Sequence, residues 1–359
     1  MFARKRLSRG VTKKNLSGSR DVDQSPVVQV RRKQTYGPNP RLGNRFPKAD
    51  GATAIDKTIK EYVELTASKG VKGFQDEFKK MASYRAPNDL YKYESFNLNQ
   101  KRNRYPDVIC LESTRVRLTQ DVPPSTDYIH ANWVKFDKHD RTFIATQAPL
   151  ENTIDDFWRM VFQERCSSIV NLTHKKEKDS MKSVMYWPEF AGSFKTYDKM
   201  FVNTKKIEYE NKLPIYTIEL VPEGCSDSHV VKMIHMSNWP DKGVPTSGRH
   251  VLRLLRMVVA NRLDCGPIVV HCSAGIGRTG SIILIDVILR KLFTGEHVDM
   301  VELFKELRNQ RAWAINNESL YVFVVYSVLD YIRAKYPNKF KDETQKFLDD
   351  FRALHPSMW

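Results

Sequence analysis

Apolar residues recur along the chain with two different periods, and the changes of period mark its elements. From Ala54 through Tyr62, Val63 and Leu65, and again over 73–78, they follow the three-to-four spacing of a helix face. The polar run 97–108 interrupts that pattern and is expected to be a surface loop. Residues 127–134 and 141–147 are rich in β-branched and aromatic side chains and predict paired strands. Thr153 is expected to cap a helix that places Phe157, Val161 and Phe162 on one face, and 168–172 returns to strand. Stretches 206–210 and 215–220 flank an Asn-Lys-Leu-Pro turn as a hairpin would, and 230–237 predicts a further strand. Val251, Leu254, Leu255, Val258 and Val259 form one face of a helix over 250–263. The run Pro267-Ile268-Val269-Val270 predicts a short buried strand, and 281–289 is apolar enough for a buried helix. Helices follow over 301–308, 320–336 and 342–354. Strands in the middle with helices before and after predict an α/β (α+β) fold with a mixed sheet covered by helices.

The chain has 359 residues and a formal charge of +16, which is concentrated at its start. Residues 1–50 hold 13 Lys or Arg against three Asp, a net of +10, leaving +6 for the other 309. Residues 1–55 contain few large apolar side chains, too few to offset the entropy of ordering, so they predict a disordered basic extension. Its charge suits an acidic partner, a membrane surface or nucleic acid, or a nuclear address, and equally a solvated linker. The five cysteines are scattered without metal-ligand spacing, which predicts a reducing compartment. No apolar run approaches a membrane span, and neither end carries a signal peptide or a lipidation motif.

The candidate chemistry lies between the 267–270 strand and the following helix, in His271-Cys272-Ser273-Ala274-Gly275-Ile276-Gly277-Arg278-Thr279-Gly280. Glycines at a strand-to-helix junction let backbone N–H groups turn inward, and the helix N-terminus adds partial positive charge, so the loop is an anion cradle. Ser273 to Gly277 would line it. Cys272 supplies a thiol, and Arg278 a guanidinium able to grip two phosphate oxygens. A thiol at a helix N-terminus beside cations ionises more readily than a free one and is a nucleophile at neutral pH. A phosphate ester also needs a proton donor for its leaving group, and Asp241, between Pro240 and Pro245, is the candidate. The loop satisfies GxGxxG as well. However, 296–300 runs straight into a helical pattern where a dinucleotide site needs a second strand ending in an acid, and that reading assigns no role to Cys272 or Arg278. A Walker A loop is excluded because no Gly-Lys-Ser/Thr follows the glycines.

His271 to Gly280 resembles the HCxxGxxRTG signature of the cysteine-dependent protein tyrosine phosphatases, and the similarity extends from about residue 70 to 335. Residues 102–105 resemble the family's KNRY loop, 127–132 its DYINA, 143–150 its YIATQGPL, 156–160 its DFWRM and Trp239 to Pro245 its WPDxGVP loop. The resemblance implies a highly twisted mixed central sheet flanked by helices and a two-step phosphocysteine mechanism without cofactor or metal. Cys272 would attack phosphorus, Arg278 would bind the phosphoryl oxygens and Asp241 would protonate the leaving tyrosine. Thr279 would stabilise the departing sulfur. Tyr105 would set the depth of the cleft, Asp107 would bind the substrate backbone and Glu177 would hold the arginine. Trp239 and His271 would be supporting residues of the site. The absence of lysine over 274–277 disfavours phosphoinositide substrates.

Asn316 stands where the family has a glutamine that orients the hydrolytic water, and Leu320 replaces a second. These replacements imply slow breakdown of the phosphoenzyme, or in the extreme a phosphotyrosine-binding module with little turnover. Arg102, His130 and Ala148 are milder departures, from lysine, asparagine and glycine. The expectation is a monomeric phosphatase of the non-receptor type with one catalytic domain over 56–336, a basic extension over 1–55 and a C-terminal helical extension over 337–359. Its partners would be phosphotyrosine-containing proteins and its location cytoplasmic, or nuclear through the tail.

Overall fold

The computed structural model describes residues 52–119, 126–174, 183–240, 243–245, 248–258 and 266–356. Among these, nine strands form one sheet: β1 (Arg115–Arg117), β2 (Tyr128–Val134), β3 (Phe143–Thr146), β4 (Ser168–Asn171), β5 (Phe194–Tyr197), β6 (Met200–Glu210), β7 (Leu213–Pro222), β8 (His229–His235) and β9 (Ile268–His271). Their order is β1-β2-β3-β9-β4-β8-β7-β6-β5. The four central strands β3, β9, β4 and β8 are parallel, and antiparallel strands flank them on both sides. The helices are α1 (Ala52–Met81), α2 (Glu94–Leu98), α3 (Ile154–Gln163), α4 (Gly248–Met257), α5 (Gly277–Thr294), α6 (Met300–Gln310), α7 (Glu318–Lys335) and α8 (Lys341–Ala353).

The period-two alternation of strands divides the core. In β9, Ile268 and Val270 join the cluster built with α1 and α4 to α8, while Val269 faces the opposite cluster with Phe157 and Trp158 of α3. A strand covered on both faces is apolar at every position, which is why 267–270 is legible as a continuous run.

Several expectations need correction. Residues 52–55 of the expected basic extension are helical, because α1 starts at Ala52 and Ile55 packs against the core. The rest of that extension, 1–51, lies outside the described residues. Gly70, at φ +61°, separates the two helical stretches seen in the sequence. The 97–108 segment is not featureless loop: α2 ends at Leu98, a tight 3-10 turn covers Gln100–Arg102, and Val108 is buried. Thr153 is the N-cap residue of α3 as expected, but its hydroxyl makes no capping hydrogen bond to that helix and accepts from the Leu150 N–H behind it. The hairpin turn is only Asn211-Lys212, both left-handed at φ +49° and +68°, the geometry that lets two residues connect twisted strands. Leu213 and Pro214 already belong to β7.

The boundary expected at residue 337 also falls inside a continuous core. Phe347, Leu348 and Phe351 of α8 are buried in the same cluster as α1 and α7, and the described residues from 52 on form one compact unit. No helix among the described residues is long and apolar enough to cross a membrane.

Candidate active site

Because β3, β9, β4 and β8 are parallel, their C-terminal ends open on one edge of the sheet, where the connecting loops converge. His271 ends β9 level with Thr146 of β3 and Asn171 of β4. Helix α5 starts at Gly277, not at residue 281. The connecting loop is therefore only Cys272 to Ile276, and Arg278 sits in the first helical turn, where free N–H groups and the helix dipole favour anions.

The loop is held at nearly every residue. Ser273 O accepts from Ala148 N at 2.9 Å, and Ile276 O accepts from Ile315 N at 3.1 Å. Gly275 has φ +69°, and a Cβ there would lie 2.0 Å from Thr146 O, so only glycine fits. The Arg278 guanidinium is buried and Nη1 donates to Leu172 O at 2.9 Å. His271 is fully buried and its Nε2 shares a 2.7 Å hydrogen bond with the Tyr186 hydroxyl. Burial pushes the His271 ring down to about 3, so it stays neutral.

Above the loop lies a cavity of about 340 Å³. Cys272, Ser273, Ala274, Ile276, Gly277 and Arg278 line its floor, with Tyr105, Asn316 and Leu320 on its walls. The Tyr105 hydroxyl lies 2.8 Å from Ser273 Oγ. Arg104 pins that wall: its backbone N–H donates to Gln147 Oε1 at 2.8 Å and its guanidinium to Ala148 O and Pro149 O at 3.1 and 2.6 Å. Asn316 Oδ1 and Leu320 Cδ1 both crowd Gly277, each 2.9 Å from where a Cβ would stand. Gly275, Thr279 and Asp107 do not line the cavity. The Thr279 hydroxyl is buried without a hydrogen-bond partner among the described residues, and Asp107 is exposed. Trp239 is buried against Phe323, with Nε1 donating to Gly243 O at 3.3 Å. Asp241 and Glu177 lie outside the described residues.

Two arginines at the C-terminal end of α6, Arg308 in its last turn and Arg311 at its C-cap, support this site. Arg311 donates through Nε to Gly275 O at 3.0 Å and through Nη2 to Ala274 O at 2.9 Å. Burial lowers its pKa, and Cys272 acts in the opposite direction. Arg308 donates to Ala314 O and Ile315 O, both at 3.0 Å, and to Ala82 O at 2.7 Å and Tyr84 O at 3.0 Å. Burial lowers its pKa to about 10. These contacts hold Trp313 and Ile315 in left-handed backbone, at φ +61° and +52°, a strained state for a β-branched residue that sets the course of the chain into Asn316. The one sequence signal available was arginine density at the end of an amphipathic helix, which usually means solvent exposure.

The sequence model of the protein-tyrosine phosphatase family matches residues 99–330. The chain is 34% identical over 338 residues to receptor-type tyrosine-protein phosphatase F of Homo sapiens, covering 92% of this chain and 17% of that protein. It is 33% identical over 297 residues to the tyrosine-protein phosphatase Lar-like of Caenorhabditis elegans, covering 82% and 13%. Against receptor-type tyrosine-protein phosphatase epsilon of Rattus norvegicus it is 34% identical over 281 residues, covering 76% and 39%. The chain thus spans less than half the length of these curated relatives. A thiol in a five-residue loop between a central parallel strand and a helix N-terminus is the arrangement expected from the signature motif, and with these matches the chain belongs to the protein tyrosine phosphatase family.

Proposed function

We propose that the protein hydrolyses phosphotyrosine in proteins through a phosphocysteine intermediate. The observation that carries this reading is the placement of Cys272 on the floor of a cavity walled by Tyr105, with Arg278 in the adjoining helical turn. In the first step the Cys272 thiolate attacks phosphorus, the bond from phosphorus to the tyrosyl oxygen breaks, and Asp241 gives its proton to the leaving phenolate. In the second, water attacks phosphorus, the S–P bond breaks, Asp241 takes the water's proton and the thiolate returns. Arg278 and the N–H groups over 273–277 hold the phosphoryl oxygens throughout, and Thr279 supports the leaving sulfur. Tyr105 selects the longer phosphotyrosine over phosphoserine, Asp107 engages the peptide backbone, and Glu177 orients Arg278. The catalytic unit acts as a monomer in the cytoplasm, and the basic tail contacts acidic partners.

Turnover of a phosphotyrosyl peptide tests the reading. Cys272→Ser is expected to be inactive, and Asp241→Ala to lose roughly 10² to 10⁴-fold in kcat while still binding substrate. Full activity in Cys272→Ser would overturn the mechanism. One observation favours a slower variant of it: the cavity wall over Gly277 is an asparagine amide beside a leucine methyl, so one of two positions available to orient water is apolar. A pre-steady-state burst of phenol is the expected consequence, and linear product release from the first turnover would exclude it.

A further inference from the structure

His130 replaces an asparagine of the motif that this chain otherwise resembles, and it occupies a junction. It lies in β2, is fully buried, and is hydrogen-bonded on both ring nitrogens. Nε2 lies 2.7 Å from Val108 O, the residue after Asp107 in the segment that carries Tyr105. Nδ1 lies 3.2 Å from both Nη1 and Nη2 of Arg311. A guanidinium only donates and a carbonyl only accepts, so the tautomer is dictated: Nε2 carries the proton and Nδ1 accepts. The remaining Arg311 donors go to Gly275 O, Ala274 O and, at 2.8 Å, Asn132 Oδ1. The buried fork is thus satisfied by neutral acceptors alone, and an unpaired N–H there would be costly.

We infer that His130 is a positioning residue that couples the two halves of the substrate site, holding the Tyr105–Val108 segment through Val108 O and the 272–276 loop through Arg311. The inference rests on the phosphatase reading above. One ring bridges the wall that measures the phosphotyrosine and the floor that carries the nucleophile, so both are registered to β2 through a single side chain. Loss of the ring releases two Arg311 donors and the Val108 carbonyl together. The floor and the wall then shift independently, and small misplacements of a reacting group are expensive in rate. An asparagine can offer one acceptor and one donor along the same line, though from a shorter side chain.

The test uses the full chain. Nitrogen-15 spectra of wild-type imidazoles are expected to show a His130 ring with pyridine-type Nδ1 and pyrrole-type Nε2 near neutral pH. The opposite tautomer, or a protonated ring, would overturn the inference without reference to activity. Kinetics on a phosphotyrosyl peptide and on a small aryl phosphate separate its two arms. His130→Ala is expected to lower kcat on both substrates by about 10²-fold, and to raise KM for the peptide more than for the small ester, with His130→Asn restoring most of the loss. A His130→Ala protein with lowered Tm but unchanged kcat and KM per folded molecule would reduce His130 to a core residue and sink the proposal. A wild type inactive on both substrates would instead refute the phosphatase reading.

Discussion

Buried arginines stand at both ends of the parallel strands, and the two ends neutralise them differently. At the C-terminal end Arg311 and Arg308 are satisfied by carbonyls, an amide and a neutral imidazole. At the N-terminal end Arg141, just before β3, contacts Asp286 of α5, and His139 Nε2 lies 3.4 Å from the same carboxylate. Arg290 reaches Asp140 there at 2.7 Å. One end keeps its positive charge beneath the anion loop, and the other cancels it. A guanidinium held by neutral acceptors still projects its field onto a bound phosphate, whereas one paired with a carboxylate contributes only cohesion.

Asp286→Ala is the largest perturbation that this contrast predicts. Leaving Arg141 buried and unpaired is expected to cost about 3–5 kcal/mol in chemical denaturation. Turnover per folded molecule should stay near wild type. A loss of kcat larger than the loss of stability would show that the far end reaches the site, and the contrast would fail.

Gly275→Ala acts at the other end in the opposite sense. A Cβ forced against Thr146 O in left-handed backbone must displace the loop, with an expected fall of about 10²-fold in kcat/KM and a smaller change in Tm. Equal losses in both quantities would mean that the loop is part of the folding core rather than a functional fitting.

The smallest effect is a difference in pH response. His130 is pushed down to about 3 by burial and the Arg311 charge, and His271 to about 3 by burial. The unfolded chain takes up these protons near pH 6.5 while the folded protein refuses them, so stability falls as pH drops from about 6.5 toward 3, by about 1.4 kcal/mol per unit for each histidine. Asp286 behaves otherwise. Burial pushes its carboxyl up, but Arg141, His139 and Arg290 outweigh burial and hold it below the ordinary range. Its stabilisation persists above about pH 4 and is lost only as pH falls through the lower folded value. Denaturation at pH 7 and 5 should therefore show His130→Asn losing less on acidification than wild type, with the Asp286→Ala penalty unchanged. A flat wild-type profile over that interval would contradict the neutral-imidazole account.

Most of the fold was legible because its strands and helices bury one consistent face or two. The apolar run before Cys272, the helix expected over 250–263, of which α4 ends at Met257 and 259–263 lie outside the described residues, and the buried α7 all show that patterning. Three details escaped for local reasons. β5 has only four residues, three of them exposed, so it carries no burial signal. β1 is a three-residue strand set by pairing with β2 rather than by its own composition. The start of α5 was missed because Gly277 and Gly280 look like loop residues, yet they fit where Asn316, Leu320 and Ile315 press against the helix.

For the site, the ten-residue stretch from His271 contained the proposed nucleophile, the proposed phosphate clamp and the need for glycine, since each of these is a property of residue type at a fixed spacing. It placed no limit on what lies beneath the loop. Arg311, His130, Asn132 and Arg308 are separated from Cys272 by dozens to well over a hundred positions, and their roles arise only where the sheet brings the middle of β2 beside the C-terminal ends of β3 and β9. The sequence by itself therefore determined which groups are proposed to perform the chemistry. Tertiary structure alone decided how those groups are held and which buried charges stay uncompensated, because hydrogen bonding between distant segments follows from the packing of the sheet and leaves no periodic trace along the chain.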